Sequence, residues 1–172
     1  ILIGVLKSFR LIKKAYLAGG CFWGMEELFR KLPGVLETGA GYTGGKKENP
    51  TYENHDGHAE ALEVVYDDEI ISYKNILDFF FCIHNPTTLN SQGNDIGTSY
   101  RSAIFYQDEA EKKQAEDFIE IVNNSGKWEN KVATTLEPFS IFYKAEDYHQ
   151  DYLQKNPGGY TCHLKYFDTY LS

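Results

Sequence analysis

The chain has 172 residues with 42% hydrophobic content, enough for one domain with a core of ordinary size. Its 17 basic against 25 acidic residues give a net charge of −8 with no long run of either sign. That balance argues against nucleic acid or an anionic membrane as partner and favours a small or peptidic substrate. Three cysteines at wide spacing, Cys21, Cys82 and Cys162, indicate neither a dense disulfide scaffold nor a CxxC zinc site.

The opening Ile1-Leu2-Ile3-Gly4-Val5-Leu6 is too short to span a bilayer, and no small-residue cleavage site clearly follows it. Residues 1–13 therefore read as an N-terminal extension. The expected compartment is the cytoplasm, or an extracytoplasmic one if this stretch is a trimmed export signal. Lys14 to Ala18 reads as a short buried strand broken by Gly19-Gly20. Cys21 to Leu32 then carries Phe22, Met25, Leu28, Phe29 and Leu32 at helical spacing until Pro33-Gly34, placing Cys21 at a strand-to-helix turn.

Glu60 to Tyr66 alternates as a strand. Ser72 can cap a helix whose Ile71 and Ile76 stand in hydrophobic-staple positions, with Phe79, Phe80 and Ile83 along the buried stripe and Cys82 at its edge. Ser102 to Tyr106 predicts another strand. Asp108 opens a helix running to Gly126, with Glu111 placed for a capping box. Lys131 to Leu136 reads as a strand and Ala145 to Lys155 as a short helix. Asn156-Pro157-Gly158-Gly159 is a turn or loop, so Cys162 is expected on a mobile segment. Such alternation suits a two-layer α/β or α+β domain.

A cysteine is more often a small buried residue than a nucleophile. Cys21, however, follows two glycines and opens a helix whose unpaired N–H groups and dipole favour a thiolate. Phe22 and Trp23 can wall an apolar pocket or simply begin the core-facing stripe. Glu60, in Gly57-His58-Ala59-Glu60-Ala61, enters an apolar strand where burial would make it a proton donor near neutral pH, although such a residue is more often a solvated charge. Tyr52, Asp95 and Tyr100 ride on loops, where functional polar groups often sit. The five histidines show neither an HExxH pattern nor a Cys/His cluster, so no metal is expected and most read as surface or hydrogen-bonding residues.

Gly20-Cys21-Phe22-Trp23-Gly24 resembles the signature of A-class methionine sulfoxide reductases. The similarity continues through Gly39-Ala40-Gly41-Tyr42-Thr43-Gly44-Gly45, Asn49-Pro50-Thr51-Tyr52, Gly57-His58-Ala59-Glu60-Ala61, His84-Asn85-Pro86-Thr87-Thr88, Gln92-Gly93-Asn94-Asp95 and Thr98-Ser99-Tyr100-Arg101, and reaches Ala145-Glu146-Asp147-Tyr148-His149-Gln150-Asp151-Tyr152. What the resemblance implies is an α+β fold, a two-layer α/β plait related to the ferredoxin-like fold with helices on one face and a long irregular C-terminal segment. On that basis residues 14–155 form the catalytic domain and 156–172 the recycling segment.

The resemblance also implies roles. Cys21 attacks the sulfur of methionine-S-sulfoxide, peptide-bound or free, Phe22 and Trp23 hold its methyl group, and Glu60 protonates the oxygen. Tyr52, Asp95 and Tyr100 bind and orient that oxygen or its water network. Attack leaves Cys21 as sulfenic acid, which condenses with a second thiol and is recycled by thioredoxin without any bound cofactor. Cys162 is the implied resolving thiol, and Cys82, among phenylalanines, reads as inert core. The expected partners are oxidised proteins, peptides or free methionine sulfoxide, and thioredoxin. A fused or separate B-class reductase is a further expectation, as is a monomeric state. Two departures stand out: only Glu53-Asn54-His55-Asp56 joins Tyr52 to Gly57, where many relatives carry a longer stretch, and no second recycling cysteine follows Cys162. A thiol peroxidase or a non-enzymatic binder of oxidised peptides are the alternative readings.

Overall fold

The computed structural model describes residues 11–161 and 163–171. In chain order it runs β1 (Ile12–Gly19), α1 (Phe22–Phe29), β2 (Val35–Thr43), β3 (Ala59–Asp67), α2 (Tyr73–Cys82), β4 (Ser91–Gln92) and β5 (Asp95–Ile96). A 3-10 turn (Thr98–Tyr100) follows, then β6 (Ser102–Tyr106), α3 (Glu109–Asn124), β7 (Thr135–Pro138) and β8 (Phe142–Lys144). A second 3-10 turn (Asp147–His149) and α4 (Tyr152–Lys155) complete the elements. Six strands form one mixed sheet in the order β7-β6-β1-β3-β2-β8, while β4 and β5 make a separate hairpin. β1 pairs antiparallel with β3 and β6, β2 pairs antiparallel with β3 and β8, and only β6 and β7 run parallel.

Alternation along the central strands decides the layers. Ala15 and Leu17 of β1, Leu62, Val64 and Tyr66 of β3, and Ile104 of β6 face one side. There they are covered by Met25 and Phe29 of α1, Ile76, Leu77, Phe80 and Phe81 of α2, and Ala115, Phe118 and Val122 of α3. The opposite face carries a smaller cluster of Tyr16, Ala18, Ala59, Ala61, Ala103 and Phe105, covered by Phe139 and Phe142. The helices thus lie on one side of the sheet, as expected.

The caps form as the sequence predicts, with one variation. Ser72 Oγ accepts from Asn75 N at 3.2 Å and Asp108 Oδ1 from Glu111 N at 2.8 Å. Glu111 reaches past the cap to the Gln107 N–H, at 3.0 Å. Other expectations shift. The strand predicted at Lys131 to Leu136 begins only at Thr135, because Ala133 N is held by Pro86 O at 2.7 Å instead of by a strand partner. The helix predicted over Ala145 to Lys155 is split between a 3-10 turn and α4, because Asp151 adopts a left-handed φ of 52°. β2 and β8 were not predicted, and together they complete one half of the sheet.

The C-terminal segment is irregular, as expected, yet its described residues are docked. Tyr166 N donates to Cys82 O at 2.8 Å, Tyr170 N to Asp78 Oδ1 at 2.7 Å, and Trp128 Nε1 to Tyr170 Oη at 2.8 Å. Among the described residues no helix is long and apolar enough to cross a membrane.

Candidate active site

The turn from β1 into α1 places Cys21 at the N-cap of α1, after Gly20 at φ +95°, a backbone state open to glycine at little cost. On β3 the period of two puts Glu60 on the same face as Leu62 and Val64, toward α1. Its carboxylate Oε1 accepts from the Phe22 N–H at 3.2 Å. The acid is thereby fixed at the helix N-terminus that carries the cysteine, with only 1% of Glu60 exposed. Burial pushes the Glu60 carboxyl up to about 8, the charge of Asp95 adds to the rise, and the Phe22 N–H opposes it.

Cys21 corrects one expectation. Burial and the neighbouring Glu60 carboxylate push its thiol up to about 12, and the Trp23 and Gly24 N–H groups only partly oppose them. The helix N-terminus does favour a thiolate, but desolvation outweighs it, so the resting group is a thiol.

Beside these groups stands an aromatic cage. Phe22 lies 5.0 Å from His149, Tyr52 4.4 Å from His149, and Trp23 stacks on Tyr152 at 3.8 Å with a 10° interplanar angle. Trp23 Nε1 donates to His149 Nδ1 at 2.9 Å, so the neutral ring carries its hydrogen on Nε2. That Nε2, beside Phe22 and Tyr52, is the one buried side-chain polar atom among the described residues with no hydrogen-bond partner. Glu146 braces the cage, accepting from Tyr42 Oη at 2.9 Å and from Tyr52 N at 3.0 Å.

The loops carrying Tyr52 and Tyr100 are tied together by His55, whose ring nitrogens lie 2.9 Å from Thr51 O and 2.7 Å from Ser99 Oγ. Both phenols are raised by burial first and by the charge of Glu60 next, and both respond to Cys21 and Asp95. Asp95 stands on the β4–β5 hairpin, with Tyr160 Oη 3.5 Å from its Oδ2. The hairpin is anchored by Gln92, whose side-chain amide pairs with Asn85 N at 2.9 Å and Asn85 O at 2.8 Å.

Cys21, Phe22, Trp23, Tyr52, Glu60, Asp95 and Tyr100 therefore converge on one locality. The expectation for Cys162 lies outside the described residues. Cys82 is buried in the main core, its Sγ 3.9 Å from Asp78 Oδ1. The reading of most histidines as surface or hydrogen-bonding residues holds on its second arm, since His58, His84, His149 and His163 are hydrogen-bonded, and the structure adds that all four are buried. Glu146, His149 and Gln150 carried no assigned role in the sequence. They stand in the motif of the resemblance at residues 145–152, but their partners Tyr52, Trp23 and Ala40 lie 94 to 126 residues away, so the motif alone does not give their roles. Among the described residues no group of three or more His, Cys, Asp or Glu side chains could hold a metal ion.

The sequence model of the family described as Peptide methionine sulfoxide reductase matches residues 13–169. The chain belongs to the peptide methionine sulfoxide reductase family. A curated relative from Nocardia farcinica, named Peptide methionine sulfoxide reductase MsrA, is 59% identical over 151 residues, covering 88% of this chain and 89% of its own. Mxr1 from Saccharomyces cerevisiae in reduced form is similar in structure, with a TM-score of 0.79 and 42% identity over 88% of this chain and 89% of that one. Mxr1 in complex with Trx2 matches with a TM-score of 0.57 and 33% identity, over 82% and 84%. The reductase is accordingly an oxidoreductase acting on methionine sulfoxide, and the aromatic cage beside a thiol and a buried carboxylic acid is a site of matching chemistry.

Proposed function

We propose that the reductase converts methionine-S-sulfoxide, peptide-bound or free, to methionine through a Cys21 sulfenic acid. The observation that carries this reading is Glu60, a buried carboxyl tethered by the Phe22 N–H next to Cys21 and protonated at neutral pH. Cys21 sulfur bonds to the sulfoxide sulfur while Glu60 gives its proton to the oxygen and takes up the thiol proton. The oxygen then passes to Cys21 as hydroxyl, and both the sulfur–oxygen bond of the substrate and its new sulfur–sulfur bond to Cys21 break. Methionine leaves, two electrons richer, and Cys21–SOH remains. Phe22 and Trp23 enclose the methyl group, and Tyr52, Tyr100 and Asp95 orient the oxygen or water around it.

The cycle closes when Cys162 attacks the sulfenic sulfur, expelling water and forming the Cys21–Cys162 disulfide. A thioredoxin-type dithiol then reduces it, a step supported by the yeast relative found with Trx2. Such a thiol cycle suits a reducing compartment such as the cytoplasm. Residues 14–155 act as the catalytic unit and 156–172 as the recycling segment. The order β6-β1-β3-β2, antiparallel throughout with α1 and α2 on one face, supports a core related to the ferredoxin-like plait. Two substitutions test the scheme. Glu60→Gln should slow methionine formation in a single turnover by about 10²-fold, whereas Cys162→Ser should release one methionine per enzyme at the normal rate and then fail to cycle with thioredoxin. An unchanged single-turnover rate in the first removes Glu60 from the chemistry, and normal cycling in the second removes Cys162.

A further inference from the structure

The reduction site makes no use of His163, although the fold holds it with care. The residue is 8% exposed. Its Nε2 lies 2.6 Å from the carbonyl oxygen of Gly19, two residues before Cys21. A carbonyl only accepts, so Nε2 carries the hydrogen.

Two glycines flanking the nucleophile shape its seat. A Cβ added at Gly24 would collide with His163 Nδ1 and lie 2.7 Å from Thr161 Oγ1. One added at Gly20 would meet Gln92 first, 2.7 Å from its Cβ, and would lie 3.4 Å from His163 Nε2. The missing side chain of Gly24 thus leaves a notch that admits residues from the far end of the chain, while Gly20 seats Gln92 beside them. Thr161 and His163, the chain neighbours of Cys162, both touch Gly24 in the first turn after Cys21, and His163 N donates to Thr161 Oγ1 at 3.2 Å. Further on, Tyr166 and Tyr170 fix the segment to α2 through Cys82 O and Asp78.

We propose that His163 is a positioning residue for the resolving step: seated in the Gly24 notch and bonded to Gly19, it holds the chain neighbours of Cys162 at the nucleophile's turn. The proposal rests on the reading that Cys162 resolves the Cys21 sulfenic acid. In that step Cys162–SH attacks Cys21–SOH, the S–S bond forms, the S–O bond breaks, and the thiol proton leaves with the hydroxyl as water, so no further oxidant is consumed. His163 touches neither the sulfoxide nor the reacting sulfurs. Its influence falls on how quickly the two thiols meet.

The test is a quench-flow single turnover without external reductant, counting methionine, the sulfenic acid trapped by a 1,3-dione, and the Cys21–Cys162 disulfide by mass spectrometry. His163→Leu should form its first methionine at the wild-type rate but its disulfide about tenfold more slowly, the scale of one lost buried hydrogen bond. Trapped sulfenic acid should rise to match. His163→Gln, whose amide N–H can reach the same carbonyl, should recover most of the disulfide rate. Wild-type disulfide kinetics in His163→Leu, or a slowing of methionine formation in equal proportion, overturns the positioning role. A wild-type enzyme that forms no Cys21–Cys162 disulfide at all overturns the resolving assignment instead, and with it the role of His163.

Discussion

Glu60 and Cys21 sit in opposed fields: helix N–H groups favour both anions, while burial and nearby charge, Asp95 on Glu60 and Glu60 with Asp95 on Cys21, favour the neutral forms, and burial wins at each. A neutral pair holds the proton that the sulfoxide oxygen needs and the proton that Glu60 takes back. With the Glu60 carboxyl at about 8, the single-turnover rate should fall as pH rises through that value. In Glu60→Gln, already about 10²-fold slower, the fall should vanish. A wild-type rate that keeps rising above pH 8 would show that the reactive form is the thiolate beside the acid. At this scale the sequence was legible where the signal is local. Cys21, Phe22 and Trp23 stand in one motif, and Glu60 stands at a strand entrance. His149 and Gln150 stand in the motif at residues 145–152, yet their roles were not legible, because a histidine or glutamine shows its function only once Trp23 or Ala40 is brought to it across more than 100 residues. The thiol's state was misjudged because a motif displays the helix N-terminus but not the depth of burial.

Elements with strong periodicity and caps appeared where the sequence put them, since hydrophobic staples, N-caps and alternation act over a few residues. α3 gives a direct check. Asp108→Ala removes the acceptor for Glu111 N and should cost ~1 kcal/mol, seen as an earlier urea midpoint with an unchanged single-turnover rate. An unaltered midpoint would show that the cap contributes nothing. β2 escaped prediction because Val35–Thr43 is interrupted by Gly39 and Gly41 and draws its order from pairing with β3 and β8. The break at Asp151 was equally invisible. Its N–H is drawn to the buried Glu26 Oε1 at 2.6 Å, a contact made 125 residues apart.

Across the whole molecule, the site's chemistry has a stability cost. The unfolded chain releases the Glu60 proton near 4.5 while the folded chain keeps it to about 8, so stability falls as pH rises through that window. Burial lowers His84 from 6.5 to about 3, so the unfolded chain binds protons first and stability falls as pH drops below 6.5. Urea unfolding across pH should therefore peak between these limbs. Glu60→Gln should gain on the order of 3 kcal/mol at pH 7 and flatten the alkaline limb. A pH-independent midpoint, or no gain in the variant, would contradict this. The layered fold with helices on one face was expected. The docking of the C-terminal segment was not, because its anchors are scattered backbone and side-chain contacts at the end of β1 and on α2. The most direct measurement is single-turnover reduction of separated S and R epimers of a methionine sulfoxide peptide by the wild type and Cys21→Ser, counting methionine per enzyme. One methionine from the S epimer alone, lost in the variant, is the predicted result. Turnover of the R epimer, or methionine still formed by Cys21→Ser, would contradict the account.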